Sequence, residues 1–189
     1  MPTKRSARRT TRGAAWHDPN LLHAVQRERV HQVWVADITY LTTEEGFRYL
    51  ALLTDAWSRF IVGYDLSAAL AFEGCARALE QAVARTPPTA LRGLIHHSDH
   101  GVQYSAYPYC DRLRTRGIHS SMRAVGNCYE NPLAERVNGI LKGEYGLDAL
   151  FVDQSHAQRA VAAAIDLYNY ERPHLALAYA KPAEVHCRA

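Results

Sequence analysis

The chain has 189 residues, 48% of them apolar and 22% charged, with a formal net charge of +3. That is chain enough for one ordinary domain and a tail, with a core that needs no covalent staples. Four scattered cysteines (Cys75, Cys110, Cys128, Cys187) form no CxxC pair, so neither a disulfide frame nor a zinc site is indicated, and free thiols fit a reducing cytoplasm. No apolar run approaches the ~18 residues of a membrane span, and the basic amino terminus lacks the apolar stretch of a secretion signal.

The charge is unevenly spread. Residues 1–31 hold seven Lys and Arg against Asp18 and Glu28, a balance of +5, which leaves −2 for the remainder. A basic arm on a slightly acidic body is the pattern of a nucleic-acid binder. Lys4, Arg5, Arg8, Arg9 and Arg12 are then the expected phosphate contacts; the plainer alternative is a tail that only aids solubility. Residues 1–30 are read as a largely disordered arm and linker and residues 31–189 as the folded core, closed by a C-terminal helix and tail. Within the linker, Asp18-Pro19-Asn20 supplies turn and cap chemistry for a short helix at Leu21–Val25.

Strands begin at Gln32. Val33–Leu41 alternates β-branched and aromatic residues, Glu44-Glu45-Gly46 is a turn, and Phe47–Asp55 and Phe60–Leu66 continue as two more strands of a meander. Ala69–Arg85 has helical periodicity and is ended by Pro87-Pro88. Leu94–Ser98 is a fourth strand, Ser105–Arg116 a helix and Ile118–Met122 a fifth strand. Helices over Pro132–Tyr145 and Gln154–Tyr170 follow, the second capped by Asp153 and closed by Pro173. Strands in a meander, then strands alternating with helices, make an α/β chain with a mixed five-stranded sheet flanked by helices.

Three carboxylates stand out. Asp37 falls inside Val33-Trp34-Val35-Ala36-Asp37-Ile38-Thr39-Tyr40, a run too apolar to bury a lone charge without a partner. Asp99 follows the apolar Leu94-Ile95 strand and precedes Gly101. Glu135, 36 positions later, lies on a helix. On that helix Asn131, Glu135, Asn138 and Lys142 form one polar stripe, with Ala134, Val137, Leu141 and Tyr145 opposite. An ordinary solvated helix face is the plain alternative for that stripe. Asp55 and Asp65 sit at strand ends, where turns commonly hold Asp, and are given structural roles. His96, His97 and His100 beside Asp99 raise a zinc site as an alternative, but neighbours on one strand point to opposite faces.

The spacing Asp37…Asp99…Glu135 resembles the DDE triad of insertion-sequence transposases and retroviral-type integrases. The flanking words match as well: Trp34 to Tyr40, His97-Ser98-Asp99-His100-Gly101-Val102-Gln103-Tyr104, Ser121-Met122-Arg123, Gly126-Asn127-Cys128-Tyr129, and Tyr168-Asn169 with Arg172-Pro173-His174. The likeness covers roughly residues 15–185. Two departures add local change: Glu130-Asn131-Pro132 stands where the family has Asp-Asn-Ala, and Arg123 where it has Ser.

The resemblance implies a ribonuclease-H-like fold and the catalytic core of a transposase that cuts DNA and transfers strands. It implies two Mg²⁺ ions, with Mn²⁺ able to substitute, held by Asp37, Asp99 and Glu135. Lys142, Asn138, Asn131 and Arg123 become expected DNA contacts. The implied partners are double-stranded DNA (transposon ends and target), further copies of the chain, and an upstream helix-turn-helix on a partner or frameshift fusion. The implied location is the bacterial cytoplasm at the nucleoid, with no membrane association. A nuclease of the same fold that only hydrolyses, and a catalytically silent or truncated DNA-binding subunit, remain alternatives.

Overall fold

β1 (Val33–Thr43), β2 (Gly46–Asp55) and β3 (Ile61–Ser67) form the expected antiparallel meander, in a computed structural model that describes residues 18–122 and 132–188. Gly46 turns the first hairpin with φ +112°, and the Thr43 hydroxyl donates to its carbonyl at 2.7 Å. The chain then crosses over through α1 (Phe72–Ala84) and one helical turn, α2 (Pro88–Leu91), to β4 (Ile95–Ser98). α3 (Tyr107–Thr115) leads to β5 (His119–Met122), and α4 (Pro132–Gly143), β6 (Leu150–Phe151), α5 (Gln154–Tyr170) and α6 (Pro182–Cys187) complete the order.

The sheet runs β3-β2-β1-β4-β5, with β4 parallel to β1 and to β5. The count of strands rises from the expected five to six. β1 extends to Thr43, and its last two residues pair with the two-residue β6. So short a strand carries no periodicity to read.

Alternation along β1 divides the core. Trp34 and Ala36 join Leu53, Leu79, Ala82, Tyr109 and Leu113 in a cluster beneath α1 and α3. Leu41 and Leu52 join Val137, Ile140, Leu141, Val161, Ile165 and Tyr168 beneath α4 and α5. Gly63 lets α1 approach β3: a Cβ there would meet the Ala78 carbonyl oxygen at 2.2 Å. Two polar residues behave as their types require: Asn20 makes a local side-chain turn, accepting from the Leu22 N–H at 2.9 Å, and Asp153 caps α5, accepting from the His156 N–H at 2.7 Å. The linker helix shrinks to one 3₁₀ turn, Leu22–Ala24.

Asp55 and Asp65 take structural roles. Asp55 is fully buried; its Oδ1 accepts from the Trp57 and Ser58 N–H groups and the Ser58 hydroxyl, and its Oδ2 from the His31 N–H. Asp65 holds Arg77 in a two-pronged pair at 2.8 and 2.9 Å. Among the described residues no helix is long and apolar enough to cross a membrane.

His96 is buried, and its Nε2 lies 2.8 Å from the Tyr109 hydroxyl. Burial, aided by the charge of His97, pushes its pKa down to about 3. An unfolded imidazole titrates near ~6.5. Below that pH the unfolded chain takes up a proton that the native state refuses, so stability is full above it and falls as pH drops towards 3. Between pH 7 and pH 5 the fall from this one group is about 2 kcal/mol. His174, pushed down to about 4 mainly by burial, adds in the same direction. His96→Gln should therefore flatten the loss of urea resistance between pH 7 and pH 5. An equally steep loss in the variant would count against the assignment.

Candidate active site

The parallel register of β1 and β4 places the two aspartates. Val33 pairs with Ile95, Trp34 with His96 and Val35 with His97. Asp37 lies two residues beyond the last pair, on the face of β1 that carries Val33 and Val35, and Asp99 lies one residue past the end of β4, at the same end of the ladder. That face of β1 is the α4 side, shared with Leu41. Both aspartates are half-buried. Asp99 follows the end of β4, and its Oδ1 accepts from the Gly101 N–H at 2.9 Å. A Cβ at Gly101 would stand 2.9 Å from that same oxygen and 3.1 Å from Gln103 Oε1, so the carboxylate keeps its place because residue 101 has no side chain.

α4 lies over these strands. Pro132 occupies its first turn, where a missing N–H costs nothing. Ala134, Val137, Ile140 and Leu141 are buried and seat the helix. On the polar stripe, Asn138 Nδ2 donates to Asp37 Oδ2 at 2.6 Å. One turn on, Lys142 Nζ lies 4.4 Å from the centre of the Tyr40 ring, a cation–π contact. Burial lowers the Lys142 pKa, while Asp148 and Asp37 pull it back up.

The structure thus brings Asp37 and Asp99 to one end of the β1–β4 ladder and sets Asn138 on Asp37. Glu135 stands one turn before Asn138, on the same stripe, but is exposed. Among the described residues no three His, Cys, Asp or Glu side chains gather closely enough to hold one ion. Asn138, expected at DNA, spends its amide on Asp37. Of the other expected contacts, Lys142 is half-buried against Tyr40, whereas Lys4, Arg5, Arg8, Arg9, Arg12, Arg123 and Asn131 lie outside the described residues.

The donor chemistry fits a hard cation. Carboxylate oxygens at Asp37, Asp99 and Glu135 are the kind of ligand Mg²⁺ takes, and the buried Asn138 Oδ1 beside Asp37 has no hydrogen-bond partner among the described residues. The histidines diverge: His96 turns to Tyr109, while His97 Nδ1 lies 3.0 Å from the Ser121 hydroxyl. Gln103 reaches the Leu70 carbonyl at 3.3 Å, and Tyr104 is buried against the His96 and Tyr109 rings.

Tyr168-Asn169…Arg172-Pro173-His174 lies on the side of α4 that packs against α5. Asn169 satisfies both backbone groups of Ile61, accepting from its N–H at 2.9 Å and donating to its carbonyl at 3.1 Å. It pins α5 to the start of β3. The sequence word marked these residues without saying what they touch.

The integrase core domain family matches the chain twice, over residues 27–128 and 116–182. The transposase for insertion sequence element IS629 of Shigella sonnei is 35% identical over 157 residues, covering 83% of this chain and 52% of that protein. The transposase for insertion sequence element IS904 of Lactococcus lactis subsp. lactis is 35% identical over 175 residues, covering 92% of this chain and 68% of that protein. The chain spans about half the length of the curated relatives it matches. Among solved structures, the HTLV-2 integrase catalytic core domain in complex with magnesium superposes with a TM-score of 0.64 at 18% identity, over 84% of this chain and 97% of that one. The BIV integrase catalytic core domain gives 0.63 at 17% identity, over 84% and 95%. The fold is therefore that of the ribonuclease-H-like integrase cores, and the chain belongs to the integrase core domain family.

Proposed function

We propose that this chain is the catalytic core of a DDE transposase, cutting DNA at transposon ends and joining the cut strand to target DNA. The observation that carries the reading is that Asp37 on β1 and Asp99 just past β4 stand at the same end of the parallel ladder, with the Glu135–Asn138 stripe of α4 alongside. Asp37, Asp99 and Glu135 would hold two Mg²⁺ ions, with Mn²⁺ able to substitute. Such ions, when bound, supply Lewis acidity to both the attacking and the leaving oxygen of an in-line displacement at phosphorus.

The remaining work falls to the chain. The Asn138 amide holds the Asp37 carboxylate in one orientation, and the Gly101 N–H does the same for Asp99. Lys142 offers its charge to a DNA phosphate beside the acids. No covalent intermediate with the protein is required. Exposure of Glu135 favours a second reading, a DNA-binding subunit that does not itself cut. Double-stranded DNA, further copies of the chain on that DNA, and a location at the bacterial nucleoid complete the proposal.

Asp37→Asn, Asp99→Asn and Glu135→Gln should each abolish Mg²⁺-dependent cleavage and strand transfer on a labelled duplex while DNA affinity holds. Near-normal activity in any one of the three removes that residue from the site. Loss at the aspartates alone, with Glu135→Gln active, would point to a two-carboxylate centre.

Asn138→Ala separates a positioning residue from a DNA contact. Loss of support for a metal-ligating carboxylate costs about 10- to 100-fold in activity or metal affinity. The variant should need more Mn²⁺ for half-maximal activity at unchanged DNA affinity. Weaker DNA binding with an unchanged metal requirement would return Asn138 to the DNA.

Sequence is read mostly by a helix in the major groove. α1, α3, α4 and α5 each commit an apolar face to the core. The chain should bind end-sequence and scrambled duplex with similar affinity, leaving discrimination to a helix-turn-helix on a partner or frameshift fusion. A preference beyond roughly a hundredfold, ~2.7 kcal/mol, in competition binding at fixed salt would mean that the core itself reads sequence.

A further inference from the structure

On the side of α4 that packs on α5, positive charge gathers without matching negative charge. Tyr168 and His174 are stacked edge to face, ring centres 4.9 Å apart, and both feel Arg59, Arg136 and Arg172. Arg172 is answered by Glu144, in a two-pronged pair with both contacts at 2.8 Å. Arg59 and Arg136 form no side-chain hydrogen bond or ion pair among the described residues. Arg27 adds a further positive charge near Arg59. The other nearby carboxylate, Asp55, is already committed to the His31, Trp57 and Ser58 groups.

Three further observations point to a ligand. Arg59 is half-buried with φ +65°, a left-handed conformation that costs a non-glycine residue roughly 1 kcal/mol. Its place is fixed from below: Asn169 clamps Ile61, two residues on. Second, Tyr168 is 0% exposed, and its hydroxyl has no partner among the described residues. Third, His174 is 8% exposed, and its Nε2 has none either. Buried polar atoms left unmatched beside partnerless guanidinium groups are costly unless an anion with several acceptor oxygens completes them.

We propose that Arg59 and Arg136, together with the Tyr168 hydroxyl and the His174 imidazole, bind a phosphate of the DNA backbone. Arg136 follows Glu135 directly and lies about 100° around α4 from it. DNA held here would cross α4 beside the acids. This rests on the transposase-core reading and extends it from the cutting site to the path of the duplex.

The test is anisotropy of a fluorescent duplex with the full chain across a salt series. Arg136→Gln alters an exposed position and spares the core. Arg59→Gly removes the charge and suits the left-handed backbone, so folding is retained. Tyr168→Phe removes a hydroxyl alone. Each should weaken binding up to about tenfold. Arg59→Gly combined with Arg136→Gln should lower the slope of log affinity against log salt by about 0.9, one phosphate's worth. Unchanged affinity and slope in the double variant would overturn the site, whatever the unmodified chain does in cleavage. Loss of binding in the variants would uphold it even if cleavage by the unmodified chain fails. Failure of the unmodified chain to bind DNA would overturn both readings. Stabilisation by inorganic phosphate that the variants abolish, with DNA affinity intact, would make this a free-anion site and overturn the DNA assignment.

Discussion

The placement of the acids depends on a ladder three residues long, the parallel pairing of β1 with β4. A slip of one residue would turn Asp99 to the opposite face and separate it from Asp37. So short a ladder does not hold its own register. Packing on both faces does. On one side Val33, Val35 and Ile95 meet Ala56 and Ala134; on the other Trp34 is buried in the cluster that includes Tyr109, to which His96 is hydrogen-bonded. The Ile95 N–H also donates to the Gln32 carbonyl at 3.0 Å, fixing where the pairing starts. β5, paired with β4 over four residues, closes the far side.

α4 converts that register into a site with two flanks. Its buried side chains leave little freedom to rotate, so Asn138 and Lys142 are committed to the β1 side, while Arg136 lies close enough to α5 to act on Tyr168. Asn169 makes the second flank as rigid as the first by bonding α5 to the backbone of Ile61. Both flanks thus share one dependence: displacing α4 would disturb the carboxylate support and the arginine cluster together.

Local pattern explains what could be read from sequence. Alternation in Val33–Leu41 gave β1 and the face of Asp37; the spacing of Ala134, Val137 and Leu141 gave the buried side of α4. Turn and cap residues at Asn20, Gly46 and Asp153 act as their chemistry requires. The short elements β6, α2 and α6 escaped because each is too brief to show a period of its own. A helical wheel assigns Glu135 and Asn138 to one face but says nothing of distance, so it could not tell that Asn138 reaches Asp37 while Glu135 meets solvent. The Arg59–Arg136–His174 grouping joins residues more than a hundred positions apart, and only the tertiary fold assembles it.

The identity of the donor on Asp37 carries a last consequence. Asp37 and Asp99 are both half-buried, and hydrogen-bond donors orient their carboxylates. Two of these donors are neutral: the Asn138 amide and the Gly101 N–H. A lysine or arginine at position 138 would meet the same need more strongly, yet it would neutralise the charge that draws a cation. A neutral donor lowers the cost of burial and leaves the negative potential in place. Lys142 does carry a charge, but the fold spends it on the face of Tyr40 rather than in an ion pair with Asp37. Asn138 and Gly101 thus orient the two acids without adding a positive charge of their own.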